Sequence, residues 1–144
     1  MFARQVLING SDPIFTSVRD KIFSGALKLA YGGRLRTEYL KSDAIRRILR
    51  VLDGSGKARA YPDNVITDEI AKIKRTKVCI SNDFHIIALA KVSGARLLCS
   101  GDKPLHCDFK NKTLLDNPRG LVYQTSAHRD ILNSYCRLCK TRSS

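Results

Sequence analysis

The stretch SNDFHIIALAKVSGARLLCSGD, residues 81–102, decides how the chain folds. Ser81 or Asn82 opens it as a helix N-cap, because a short polar side chain there accepts from the free amides of the first turn. Phe84, Ile86, Ile87, Ala88, Leu89, Ala90 and Val92 then place apolar side chains nearly all round the helix. A helix of that kind is buried on most sides. Gly94 closes it. Arg96-Leu97-Leu98-Cys99-Ser100 reads as a short buried strand that ends at Gly101-Asp102.

Working toward the N-terminus, PDNVITDEIAKIK (62–74) predicts a helix with Val65, Ile66, Ile70 and Ile73 inward, preceded by a short extended piece near Ala58–Tyr61. Another helix is expected from about Arg34 to Asp53. Ile45, Ile48, Leu49 and Leu52 recur on one face, Arg46, Arg47 and Arg50 fall mostly elsewhere, and Gly54-Ser55-Gly56 ends it. Gly32-Gly33 reads as a loop. VLINGSD (6–12) contains Asn9-Gly10, a hairpin signal, but Asp12-Pro13 is a poor start for a second strand. Asp at an N-cap and Pro at the first helical position open a helix instead, and Ile14, Phe15, Val18 and Ile22 supply its apolar stripe. So VLINGSD is a strand, a tight loop and a helix start. Toward the C-terminus, LVYQT (121–125) is a last strand, followed by a helix capped by Thr125 or Ser126. Strands alternating with helices predict an α/β fold with a mostly parallel sheet covered on both faces.

A chain of 144 residues is one domain's worth. The expected division is a single domain over 1–135 and a basic C-terminal tail over 136–144. No stretch approaches the ~18 apolar residues of a membrane span. The opening MFARQVLING lacks the apolar core and cleavage site of a signal peptide, so the cytosol is the expected location. Twenty-six Lys and Arg face 13 acidic residues, a formal net charge of +13. The excess is spread over several segments and favours a polyanionic partner, since neutralising phosphates releases counterions. A merely soluble surface or an acidic protein partner fits the charge as well. The five cysteines, at 79, 99, 107, 136 and 139, are an odd number. Cys79 and Cys99 lie in apolar runs as core residues. Cys136-x-x-Cys139 has metal-ligand spacing without a second pair, which is weak support for zinc. His85, His106 and His128 have no zinc spacing, and neither a Ser/His/Asp set nor a GxxxxGK[ST] loop is present.

In open α/β sheets the functional crevice lies beyond the C-terminal ends of the strands. Asn9 follows the first strand, Asp102 follows Leu97–Ser100, and Asp83 opens the buried helix. Carboxylates crowded at one edge repel unless a cation joins them. Mg²⁺ or Mn²⁺, hard and octahedral, suits such a site and serves phosphodiester hydrolysis. Each acid alone has a plainer account. Asp83 can complement a helix dipole, Asp102 can cap a turn, and Glu38 can pair with Lys41.

Together these residues resemble the PIN-domain nucleases. The C-terminal signature of that family has an Asp opening an Ile/Ala-rich helix, a Gly, a short strand, then Ser/Thr-x-Asp. Asp83 and Ser100-Gly101-Asp102, about nineteen residues on, fit it. LRTEYL, with Glu38, resembles the family's helical acidic segment, and VLI-Asn9-Gly10-Ser11 its opening strand, with Asn9 where the family has Asp. The resemblance implies a three-layer α/β/α sandwich and a metal-dependent endoribonuclease acting on single-stranded RNA. It implies Asn9, Glu38, Asp83 and Asp102 around one or two Mg²⁺ or Mn²⁺ ions. Asp108 is an extra ligand or supporting acid, with Ser11 and Ser100 as orienting hydroxyls. Many such proteins are toxin halves of toxin–antitoxin pairs. The implied partners are thus RNA, an acidic antitoxin and a second copy in a homodimer, with no membrane. An amide at position 9 can coordinate a hard cation but brings no charge and cannot act as a base. Two accounts stand open: an Asp→Asn replacement that disarms a nuclease, or a naturally degenerate site. The alternative function is a catalytically inactive RNA-binding or protein-interaction module, and a DNA nuclease would use the same acids.

Overall fold

The computed structural model describes residues 13–100, 102–116 and 119–123, with the backbone alone for 13–17. Six helices and four short strands occur among them: α1 Pro13–Ser24, β1 Leu29–Gly32, α2 Gly33–Leu40, α3 Asp43–Gly54, β2 Ala58–Tyr61, α4 Asp63–Thr76, α5 Phe84–Ser93, β3 Leu97–Cys99, α6 Lys103–Lys110 and β4 Leu121–Tyr123. β1 pairs with β2 in parallel, Leu29 opposite Ala58 through Gly32 opposite Tyr61. β3 pairs with β4 in parallel, Leu97 opposite Leu121 through Cys99 opposite Tyr123. The fold is α/β, and both strand pairs are parallel, joined by helical crossovers as parallel pairing requires. No helix among the described residues is long and apolar enough to cross a membrane.

α5 is the centre of the core. Ile86, Ile87, Ala88, Leu89 and Ala90 are all buried, and the helix packs against α4, α2, β1 and β2. Gly94 ends it in the left-handed conformation, its N–H returning to the Ala90 carbonyl. Buried Arg96 donates to the same Ala90 carbonyl at 2.6 Å. Glu69 of α4 ties the two helices on the outside through Lys91 at 3.3 Å.

Several expectations are corrected. The single helix from about Arg34 to Asp53 is two helices. Ser42 is extended and its Oγ accepts from Ile45 N–H, so a fresh N-cap interrupts the apolar periodicity. Gly32-Gly33 is the junction of β1 and α2 rather than a loop. A Cβ on Gly32 would stand 2.7 Å from the Tyr61 carbonyl oxygen and 2.8 Å from Ile66 Cδ1. Gly33 begins α2 at φ +56° with its N–H on Asp63. Val65, expected inward, is exposed, while Ile66 and Ile73 are buried and Ile70 packs against the core. The strand expected over 121–125 is seen over Leu121–Tyr123. Asn9, Ser11, Asp12, the Val6–Ile8 strand, the helix after 125 and the 136–144 tail lie outside the described residues.

A cleft lined by three acids

Glu38, Asp83 and Asp102 come from three different elements and line one small open cleft of about 100 Å³. Glu38 lies on α2, directly after β1. Asp83 holds the N-cap position of α5, and Asp102 that of α6, just past the end of β3. Leu35, Ile86 and Leu105 line the same cleft and are buried. Each stands three residues from one of the acids on the same helix, so an acid and an apolar anchor share a face. That spacing is readable in the sequence and marks the three apolar residues that the motif comparison passes over. Ser100 and His85 complete the lining.

Asp83, at the start of α5, is placed to complement that helix's dipole. Asp83 and Asp102 occupy N-cap positions, yet neither side chain makes a cap hydrogen bond. The Asp83 N–H donates to Ser81 Oγ and the Asp102 N–H to Ser100 Oγ at 3.1 Å, so serines two residues back order each backbone. Glu38 pairs with Arg34 at 3.5 Å, one turn back, and not with Lys41. Both partners are exposed, and a pair of that kind contributes only about 0.5 kcal/mol. His85 is half-buried, and that burial is the main reason its pKa is lowered below 6.5. The Asp83 carboxylate beside it pulls the other way, Arg34 adds to the lowering, and Glu38 opposes it. His85 is thus held toward the neutral imidazole.

Asp108 is not a cleft residue. It is buried on α6 and accepts from the Ile80 and Ser81 amides, so of its two expected roles that of an extra ligand is corrected, and that of a supporting acid is the one its place allows. His106, also buried, donates from Nε2 to the Ser100 carbonyl, which can only accept. Cys79 and Cys99 are half-buried against the core, and burial pushes their thiols up to about 11 and about 12.

The donors are hard oxygens of the kind Mg²⁺ and Mn²⁺ take. The cleft, at about 100 Å³, is far smaller than the ~300 Å³ or more of a small-molecule pocket. Among the described residues no three His, Cys, Asp or Glu side chains are gathered closely enough to hold a metal ion as they stand. Glu38 is turned to Arg34, and the fourth expected donor, Asn9, lies outside the described residues. Arg34 and Arg36 on α2 and Lys103 next to Asp102 in sequence are exposed, and Arg34 pairs with Glu38. No protein-family model, curated protein or solved structure matches the chain.

Proposed function

We propose that the chain is a PIN-like, metal-dependent endoribonuclease whose cleft is bounded by Glu38, Asp83 and Asp102. The observation that carries this reading is the meeting of those three acids, 64 residues apart from first to last (102 − 38), in one cleft of a chain with twice as many cations as anions. Two of them hold N-cap positions without capping, so their charge is left to face the cleft. The three carboxylates, with the Asn9 amide as a neutral fourth, would hold Mg²⁺ or Mn²⁺. A bound ion supplies Lewis acidity, making the attacking water more acidic and offsetting charge on the phosphate.

The chain's own residues do the rest. Arg34, Arg36 and Lys103 hold the strand by its phosphates. Neutral His85 offers a hydrogen bond at the cleft wall without adding charge. The apolar base of Leu35, Ile86 and Leu105 keeps the carboxylates at the rim. A three-layer α/β/α sandwich belongs to the same proposal. An acidic antitoxin partner, a homodimer and a cytoplasmic location belong to it too.

The test is cleavage of a labelled single-stranded RNA with Mg²⁺ or Mn²⁺, comparing this chain, Asn9→Asp, and Asn9→Asp combined with Asp102→Asn. The proposal expects the restored Asp to cut, with at least a hundredfold gain over the parent chain, and the double variant to be silent. A DNA strand of the same sequence separates ribonuclease from deoxyribonuclease. If Asn9→Asp binds a broad set of RNAs and cuts none, the inactive RNA-binding module is the better reading.

A further inference from the structure

Asp108 is a charged side chain with 2% of its surface exposed, and it makes no ion pair among the described residues. A carboxylate in such a place must have its oxygens taken up. Both are: Oδ1 accepts from the Ile80 N–H at 2.9 Å and Oδ2 from the Ser81 N–H at 2.8 Å. Those amides belong to the segment that runs directly into Asp83. Asp102 holds the N-cap position of the same helix, six residues back, which is roughly 9 Å of helix rise. Between them His106 holds the Ser100 carbonyl, on the segment that runs into Asp102. One helix of eight residues thus grips the approaches to both aspartates.

Resting on the nuclease reading of the cleft, we propose that Asp108 is a positioning residue: by clamping residues 80–81 to α6 it fixes the placement of Asp83 opposite Asp102. It touches neither substrate nor metal, because it does not line the cleft. Hydrogen-bond partners that orient reacting carboxylates act through geometry, and losing one costs roughly 10–100-fold. An error near 1 Å in placement costs about as much.

The experiment compares Asp108→Asn and Asp108→Leu, each in the Asn9→Asp chain, with Asp53→Asn as a control. Asp53 accepts a 2.8 Å hydrogen bond from the Tyr31 hydroxyl and does not line the cleft. Asparagine keeps one acceptor oxygen and leucine keeps none. The expected result is a graded loss of kcat for RNA cleavage, roughly tenfold for Asn and more for Leu, with KM within about twofold. The control should retain its kcat. Amide hydrogen exchange, read without substrate, should quicken at Ile80, Ser81 and Asp83 in Asp108→Asn and stay unchanged in α3. Unchanged kcat in both Asp108 variants overturns the proposal. So does unchanged exchange at Ile80 and Ser81, or a loss of kcat that the control shares. A silent Asn9→Asp parent sinks the nuclease reading instead, and the clamp then stands or falls on the exchange at residues 80–83.

Discussion

Tyr31 shows how one side chain ties a local contact to the behaviour of the protein. It is buried at the end of β1, and its hydroxyl donates to Asp53 at the end of α3. Burial, then the Asp53 hydrogen bond and charge, push its pKa from 10.0 up to about 12. Between those values the unfolded chain has lost the proton and the folded chain has kept it. Stability contributed by Tyr31 is therefore full below pH 10 and is lost as pH climbs toward 12. Urea unfolding followed from pH 9 to 12 should show a falling midpoint, and Tyr31→Phe should flatten part of that fall. A Tyr31→Phe curve parallel to the parent throughout would show that the phenol is not the group responsible. Neither Tyr31 nor Asp53 lines the cleft of the three acids, so this contact can be probed apart from it.

Elements differ in how plainly the sequence states them. α5 is unmistakable because its apolar residues run nearly all round it and Gly94 supplies the left-handed cap. Ile87 is fully buried there, so Ile87→Ala should cost about 2–5 kcal/mol in chemical unfolding. Val51→Ala, on the exposed face of α3, should fall within about 0.5 kcal/mol of the parent. Equal losses at the two positions would contradict this placement of the core. The break between α2 and α3 is harder to read, since apolar periodicity continues across it and only Ser42-Asp43 signals a new N-cap. α6 has the matching signal in Pro104 just inside its start, but it has only eight residues and a charged exposed face. β1 hides for a different reason. Leu29-Ala30-Tyr31-Gly32 shows no alternation, and its glycine serves a close approach to Tyr61 that only tertiary structure reveals. The site follows the same division. Glu38, Asp83 and Asp102 were legible through motif spacing, whereas the work of Asp108 depends on a contact across 28 residues.

At the scale of the whole molecule the question is how a chain of net charge +13 uses its field. Arg34, Arg36 and Lys103 are exposed on the helices that carry Glu38 and follow Asp102, and each phosphate neutralised on a single strand contributes about −0.7 to the slope of log K against log salt. RNA binding through those three should thus carry about −2 of the total slope. Replacing all three by Ala should make the measured slope shallower by that amount while leaving the melting temperature nearly unchanged. A slope that does not move would assign the RNA track to another face. The grip of α6 on both aspartates also fixes when the cleft can exist. A ribosome delivers Glu38 first and Asp108 only 70 residues later (108 − 38), roughly 4–14 s at ~5–20 residues per second. β3 waits longer still for its partner strand at 121–123. The three acids, the helix that holds their approaches and the partner strand of β3 are therefore all in place only once residue 123 has been made.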